Sequence, residues 1–289
     1  NATVINATAL DFATTGVGNN LIATATIGNI TDSGTVTVGG TSSFTTTLAD
    51  ADIDLGTLAS TGTVALSTNG TTGNATVINA TALDFATTGV GGNLVATATT
   101  GNITDSGVIT VGGTSSFTTT AANATIVLDQ VSSFTGAVSL ATNGTTSGDA
   151  TLINSAIALD LGTVTVGRNL IATATNGNIT DSGIITVGGT SSFTAGGAVI
   201  TLDTVTNAFT GAVNLSNTGA NAVVLNAGSA LDLGTVGVGN NLTVTTTADA
   251  ITDSGVLTVA GISSFTAGGA AITLDTVTNA FTGAVNLSN

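Results

Sequence analysis

The chain has 289 residues and a formal net charge of −15, and it contains no Cys, His, Met, Trp, Tyr or Pro. All sixteen acids are Asp, and Arg168 is the one positive side chain. This inventory excludes thiol and imidazole catalysis, an ordinary zinc site, and a Schiff-base or P-loop lysine. One cation also excludes a grip on nucleic acid or on an anionic membrane. With 42% apolar residues the chain can build a core, unlike acidic disordered sequences. Thr, Asn, Asp or Gly interrupts every apolar run well short of the ~18 residues of a membrane span. Asn1 is not an initiator Met and no signal peptide is visible, so the chain reads as a slice of a longer or processed protein.

In chain order the sequence repeats itself. Asn1–Val17, NATVINATALDFATTGV, returns unchanged at Asn74–Val90. Ser191–Asn217 returns as Ser263–Asn289 with Ala271 in place of Val199. The tetrad TDSG stands at Thr31–Gly34, Thr104–Gly107, Thr180–Gly183 and Thr252–Gly255, its Asp residues 73, 76 and 72 positions apart. Four units follow: 1–73, 74–148, 149–219 and 220–289. Much of their length variation falls at one place, the 7, 8, 9 and 9 residues of Gly56–Gly62, Asp129–Gly136, Asp203–Gly211 and Asp275–Gly283. Insertions gathered at one spot mark a surface loop.

Within a unit the apolar period is two. Val164 and Val166 alternate with Thr163 and Thr165, Leu242 and Val244 with Thr243 and Thr245, which predicts strands with one buried face. GN, GG, DSG and NG separate them as turns, and no helix is expected. A propeller or sandwich would need larger aromatics than nine Phe supply. A solenoid core is narrow and suits Ala, Val, Ile and Leu. The expected fold is therefore all-β: one continuous parallel β-solenoid, or β-helix, over 1–289. Its four repeats of ~72 residues make about three coils each, so each unit advances roughly 14 Å.

Certain motifs resemble a known family. GNITDSGIITVGGTSSFTAGGAVITLD (Gly177–Asp203), AFTGAVNLSN (Ala208–Asn217) and ALDLGTVTVGRNLIATAT (Ala158–Thr175) are similar to the repeat region of filamentous-haemagglutinin-like bacterial adhesins. The resemblance covers all four units. It implies a right-handed β-helix, a stalk role, and export by a two-partner or autotransporter route. The family's Asn-Pro-rich secretion domain cannot lie in a chain without Pro, and no binding tip is recognisable.

Three Asp registers are the most tempting candidate sites: Asp11, Asp84, Asp160 and Asp232; Asp32, Asp105, Asp181 and Asp253; Asp129, Asp203 and Asp275. Their functional reading is calcium, a hard cation that takes oxygen ligands. The calcium β-roll pattern GGxGxDxUx is absent, however. At ~14 Å between copies of a register one ion cannot bridge them, so solvation and Asx turns are the favoured reading. Asp50, Asp52 and Asp54 form the one local acidic cluster and the candidate metal site. Strand alternation would put all three on one face, roughly 6–7 Å apart. An outward solvated face is the competing and favoured reading.

Enzymatic readings fail on chemistry. Ser and Thr runs such as TSSF have no base to activate them, and GxSxG and SxxK are missing. Paired Asp could serve a glycosidase, but that needs a cleft. Thr24/Thr26, Thr97/Thr99 and Thr173/Thr175 recur in register and suggest an ice-binding plane. Such a plane needs matching pairs on adjacent coils ~4.8 Å apart. Phe44, Phe117, Phe193 and Phe265, with Phe134, Phe209 and Phe281, are expected in the core; Ser60 takes the second position in the first unit. Sequons at Asn29, Asn102 and Asn178 are glycosylation acceptors in principle, in a chain where Asn and Thr abound.

The resulting expectation is a non-enzymatic extracellular fibre segment, adhesin-type, at a bacterial surface or in a secreted filament; ice binding is the alternative. No cofactor is expected, with calcium at the acidic cluster as the one exception considered. Expected partners are other repeats of the chain, end-to-end or lateral copies of it, and host-cell, matrix or glycan surfaces. Nucleic acid and a membrane span are not among them.

Overall fold

The computed structural model describes residues 1–144, 148–156 and 158–289. The chain is an all-β parallel β-solenoid of about 13 turns, made of four tandem repeats of ~70 residues. No helix occurs among the described residues. Residues 1–144 and 145–289 form two compact units, each holding two repeats.

In the first unit, straight strands of five or more residues alternate with longer sides that bend in the middle. The first repeat has four straight strands, Ala2–Asn6, Leu21–Ala25, Ser42–Ala49 and Val64–Asn69. Between them lie three bent sides: Leu10–Phe12 with Thr15–Val17, Ile30–Asp32 with Val36–Val38, and Ile53–Ser60. The straight strands stack in parallel on one face, Ala2 against Leu21, Leu21 against Ser42, and Ser42 against Val64. The bent sides stack on the other face, Leu10 against Ile30 and Ile30 against Ile53.

Among the described residues each repeat shows the same seven sides, and a coil uses two. The expected count of about three coils holds, with half a coil added. Because seven is odd, the second repeat of the unit begins on the opposite face. Its straight strand Ala75–Asn79 lies on the bent side Ile53–Ser60, Ala75 opposite Ile53. Its first bent side lies on the straight strand Val64–Asn69, with Phe85 opposite Val64 and Gly89 opposite Ser67. The second unit has the same plan. Ala150, Leu170, Ser191 and Val213 begin straight strands on one face, and Val223, Leu242, Ser263 and Val285 do so on the other.

The core lies between the two faces of each unit. Alternation decides what enters it: in Leu21–Ala25 the residues Leu21, Ala23 and Ala25 are buried while Ile22 faces outward. Small and large residues meet across the coil, and pairs of Phe touch edge to face. Phe12–Phe44 (6.2 Å) and Phe117–Phe134 (5.7 Å) do so in the first unit, Phe193–Phe209 (6.0 Å) in the second. Burying each ring is worth about 1.5–3 kcal/mol. The Phe registers are therefore core packing, as expected from sequence, with Phe281 alone among them only half-buried. In the first repeat Ser60 stands where a ring stands elsewhere, and its hydroxyl pairs with buried Ser42 at 2.8 Å.

Candidate functional site

The bends are where the polar chemistry gathers, and the TDSG tetrad builds them. Its Ser donates a backbone N–H to the coil before, Ser33 to Phe12, Ser106 to Phe85, Ser182 to Leu161 and Ser254 to Leu233. Its Gly lies against that same coil. A Cβ on Gly34 or Gly107 would fall 2.5 or 2.3 Å from the backbone nitrogen of Thr14 or Thr87, so no larger residue fits without moving the coils apart.

Its Asp reaches the other way, to the coil after. Asp32 accepts the N–H groups of Gly56 (2.8 Å) and Thr57 (2.9 Å). Asp105 accepts those of Asp129 (2.9 Å) and Gln130 (3.3 Å). Asp181 accepts those of Asp203 (2.9 Å) and Thr204 (3.3 Å), and Asp253 that of Asp275 (2.9 Å). Charge-assisted bonds to backbone N–H groups are the stronger kind. The carboxylate is a clamp between coils: it satisfies donors that the bend takes out of the strand ladder.

The third Asp register is therefore bonded to the second. The first joins them from below, since Asp11 accepts the Ser33 hydroxyl (2.8 Å), Asp84 the Ser106 N–H (2.9 Å) and Asp232 the Ser254 hydroxyl (2.7 Å). Copies of one register are far apart, but the three registers stand on successive coils in the second, third and fourth repeats. The first two do so in the first repeat, where Gly56 takes the third place. This corrects the sequence-based picture of widely spaced charges. Repulsion between unit charges one coil apart is about 0.9 kcal/mol at water's dielectric. The N–H groups they capture offset it.

The Asp50–Asp54 cluster is also rearranged relative to expectation. Asp50 sits in a left-handed turn (φ 61°), which interrupts the two-residue period, and only Asp54 lies on the strand Ile53–Ser60. Asp50 accepts the N–H groups of Thr71 and Thr72 (3.0 Å each). The Thr72 bonds, with a further one from Thr71, hold its carboxyl below the usual carboxylate range. Asp52 accepts the Asn74 N–H (2.7 Å). The three acids do not share a strand face; Asp50 and Asp52 cap separate points of the next coil. Among the described residues no three of His, Cys, Asp or Glu come together as metal ligands.

Asn does the same work at the other corners, which sequence reasoning missed. Oδ1 of Asn20, Asn93, Asn169 and Asn241 accepts the N–H of Thr41, Thr114, Thr190 and Ile262 at the start of the next straight strand. The sequon residues Asn29, Asn102 and Asn178 accept those of Asp52, Thr125 and Val199. The signal was present in sequence as an Asn about one coil length before each capped residue. Arg168, the single cation, lies 3.4 Å from Asp149 with both side chains well exposed, a pairing of little energetic weight.

Other candidates resolve into packing. The first Ser of each TSSF or ISSF segment is buried, so Ser42, Ser115, Ser191 and Ser263 face the core. In the Thr-x-Thr pairs the second hydroxyl turns back to the coil before: Thr26 donates to the Asn6 carbonyl, Thr99 to Asn79 and Thr175 to Asn154. Beside Thr24 stand Ile5 on one neighbouring strand and Thr45 on the other, and Ser67 follows Thr45, so a Thr row there is two coils deep. A cavity of about 260 Å³ opens beside Thr57 and Leu58, with Thr35, Ile78, Ala80 and Thr99 around it. It offers methyl groups and hydroxyls, without a carboxylate or an aromatic ring.

No curated protein and no solved structure matches the chain. A family model described as repeats of unknown function (DUF5649) matches residues 1–67, 72–141, 147–216 and 220–288 in turn. With four consecutive matches over nearly its whole length, the chain belongs to this family of repeats.

Proposed function

We propose that the chain is a non-catalytic structural segment of an extracellular bacterial fibre, a stalk or filament repeat of adhesin type. The observation that carries this reading is the clamp between coils, repeated in all four repeats by Asp32, Asp105, Asp181 and Asp253. It joins each bend to the next by charge-assisted bonds in addition to the parallel ladders. Polar side chains that could have bound a ligand are spent on neighbouring coils instead. Such a repeat extends by copying, and its stability is set by interfaces between neighbours. The similarity of Gly177–Asp203 to filamentous-haemagglutinin-like repeats supports the same reading, as does a composition poor in catalytic side chains.

Expected partners are further repeats or copies of the chain, and a host-cell, matrix or glycan surface for the fibre as a whole. No cofactor is required. The ice-binding alternative has only short Thr rows to draw on, such as Thr24 beside Thr45, closed by Ile5 on one side and Ser67 on the other. The test is surface exposure on the source cells. Antibody raised against the repeats should label intact cells, and external proteinase should remove that signal. Labelling that appears only after lysis would contradict the proposal.

A further inference from the structure

One of the four clamps differs from the others in a way that changes its proton chemistry. Asp105 is 6% exposed, and it is the one acid among the buried side chains of the described residues. On the coil before, its ladder partner is Phe85, next along the strand from Asp84; on the coil after, it meets Asp129 on the side Ile126–Phe134. The neighbouring segments Thr88–Val90, Ile109–Val111 and Ser115–Ala122 carry no titratable side chain, and residues 1–144 contain no Lys, Arg or His. Nothing cationic compensates the buried carboxylate.

Its partners matter as much as its burial. Oδ1 takes both backbone bonds, from Asp129 and Gln130, while Oδ2 takes only the Ser132 hydroxyl at 3.3 Å. The Ser132 oxygen in turn accepts the Ile109 N–H at 3.0 Å. In the third and fourth repeats the corresponding residue is Asn. Asn207 donates Nδ2–H to Asp181 Oδ2 (2.6 Å) and accepts the Ile185 N–H (2.8 Å). Asn279 does the same between Asp253 and Leu257. An amide NH₂ only donates, so a proton on the facing carboxylate oxygen would break that bond. A hydroxyl both donates and accepts. When Oδ2 of Asp105 takes a proton, the Ser132 hydroxyl hydrogen turns away, the carboxyl O–H turns to the Ser132 oxygen, and Oδ1 keeps both N–H groups as bonds to a neutral acceptor.

We propose that the Asp105–Ser132 junction is a proton-operated latch between two successive coils, stabilised in mildly acidic surroundings because a buried and uncompensated charge is removed. Asp32, whose Oδ2 also meets a hydroxyl, that of Thr57, is only half-buried, as are Asp181 and Asp253; the buried Asp105 makes its junction respond to pH. Burial pushes the Asp105 carboxyl up to about 6, with the Asp129 charge adding to the shift and the hydrogen bonds opposing it. The direction follows from linkage. A carboxyl raised above its unfolded value of 3.8 binds its proton more readily in the folded state. Its contribution to stability is therefore fullest at low pH and is lost as pH rises through about 6.

The test is a carboxyl-carbon NMR titration of the whole chain, alone and as Ser132→Asn, with urea unfolding of the unsubstituted chain and Asp105→Asn at pH 7.5 and 5.0. The Asp105 signal should titrate near 6 in the unsubstituted chain. It should fall toward the ordinary value of about 3.9 in Ser132→Asn. The urea midpoint should rise on acidification by more in the unsubstituted chain than in Asp105→Asn. Ordinary titration of Asp105 in the unsubstituted chain overturns the proposal whether or not the variants fold. So does an equal acid response of the two chains in urea.

Discussion

Straight and bent sides carry the same alternation of Val, Ile and Thr, yet they are joined to their neighbours differently. The straight strand Leu170–Ala174 lies between Ala150–Asn154 and Ser191–Ala195 with all five residues in register on both sides. Of its outward residues, Ile171 is exposed and Thr173 half-buried. The bent side that follows, Asn178–Asp181 with Ile185–Val187, loses the ladder at its middle. Its own Ser182 N–H goes to the Leu161 carbonyl, and Asp181 takes the Asp203 and Thr204 N–H groups at the next bend. A regular strand satisfies its backbone by itself, whereas a bend needs a side chain to do so. This is why the acids of the chain collect on one kind of side.

The comparison can be broken by substitution, with unfolding midpoints in urea as the readout. The largest effect should come from the core that both kinds of side share. Phe117, on a straight strand, meets Phe85 and Phe134 on bent sides at 6.2 and 5.7 Å. Phe117→Ala should cost about 3–5 kcal/mol. Asp181→Ala should cost about 1–3 kcal/mol, because it leaves the Asp203 N–H and the buried Asn207 amide without their acceptor. Thr173→Ala, the matching deletion on a straight strand, should stay within about 0.5 kcal/mol. Equal losses for Asp181→Ala and Thr173→Ala would show that the bends do not depend on their carboxylates.

Much of the fold is legible in the residues. The two-residue period of Leu21, Ala23 and Ala25, the Phe registers and the TDSG turns lead to short strands around a narrow core. Face alternation is harder to read, because period and turn signals report on one strand at a time. The register between coils depends on how many sides a repeat contains. Its trace lies in the spacing between registers: Asp11 to Asp32 and Asp84 to Asp105 are each 21 residues, one coil. Reading each register against its own copies hides this; reading the three together reveals it. The Asp50 turn was not legible, because DADID alternates like a strand and only tertiary context places Asp50 at positive φ. The Ser132 exchange was visible as an eight-residue loop, but its proton chemistry depends on the burial of Asp105.

The central claim is that a repeat has seven sides, so that successive repeats of a unit begin on opposite faces. The chain has no cysteine, which makes disulfide trapping a direct test. Ser67 and Gly89 are outward neighbours on one face, and a Cβ at Gly89 meets nothing within 4 Å. Ile78 points outward from the other face of the same unit. Ser67→Cys with Gly89→Cys should close an intramolecular disulfide on mild oxidation, while Ser67→Cys with Ile78→Cys should remain reduced in the folded chain. Closure of the second pair and not the first would put the straight strands of both repeats on one face and contradict the account.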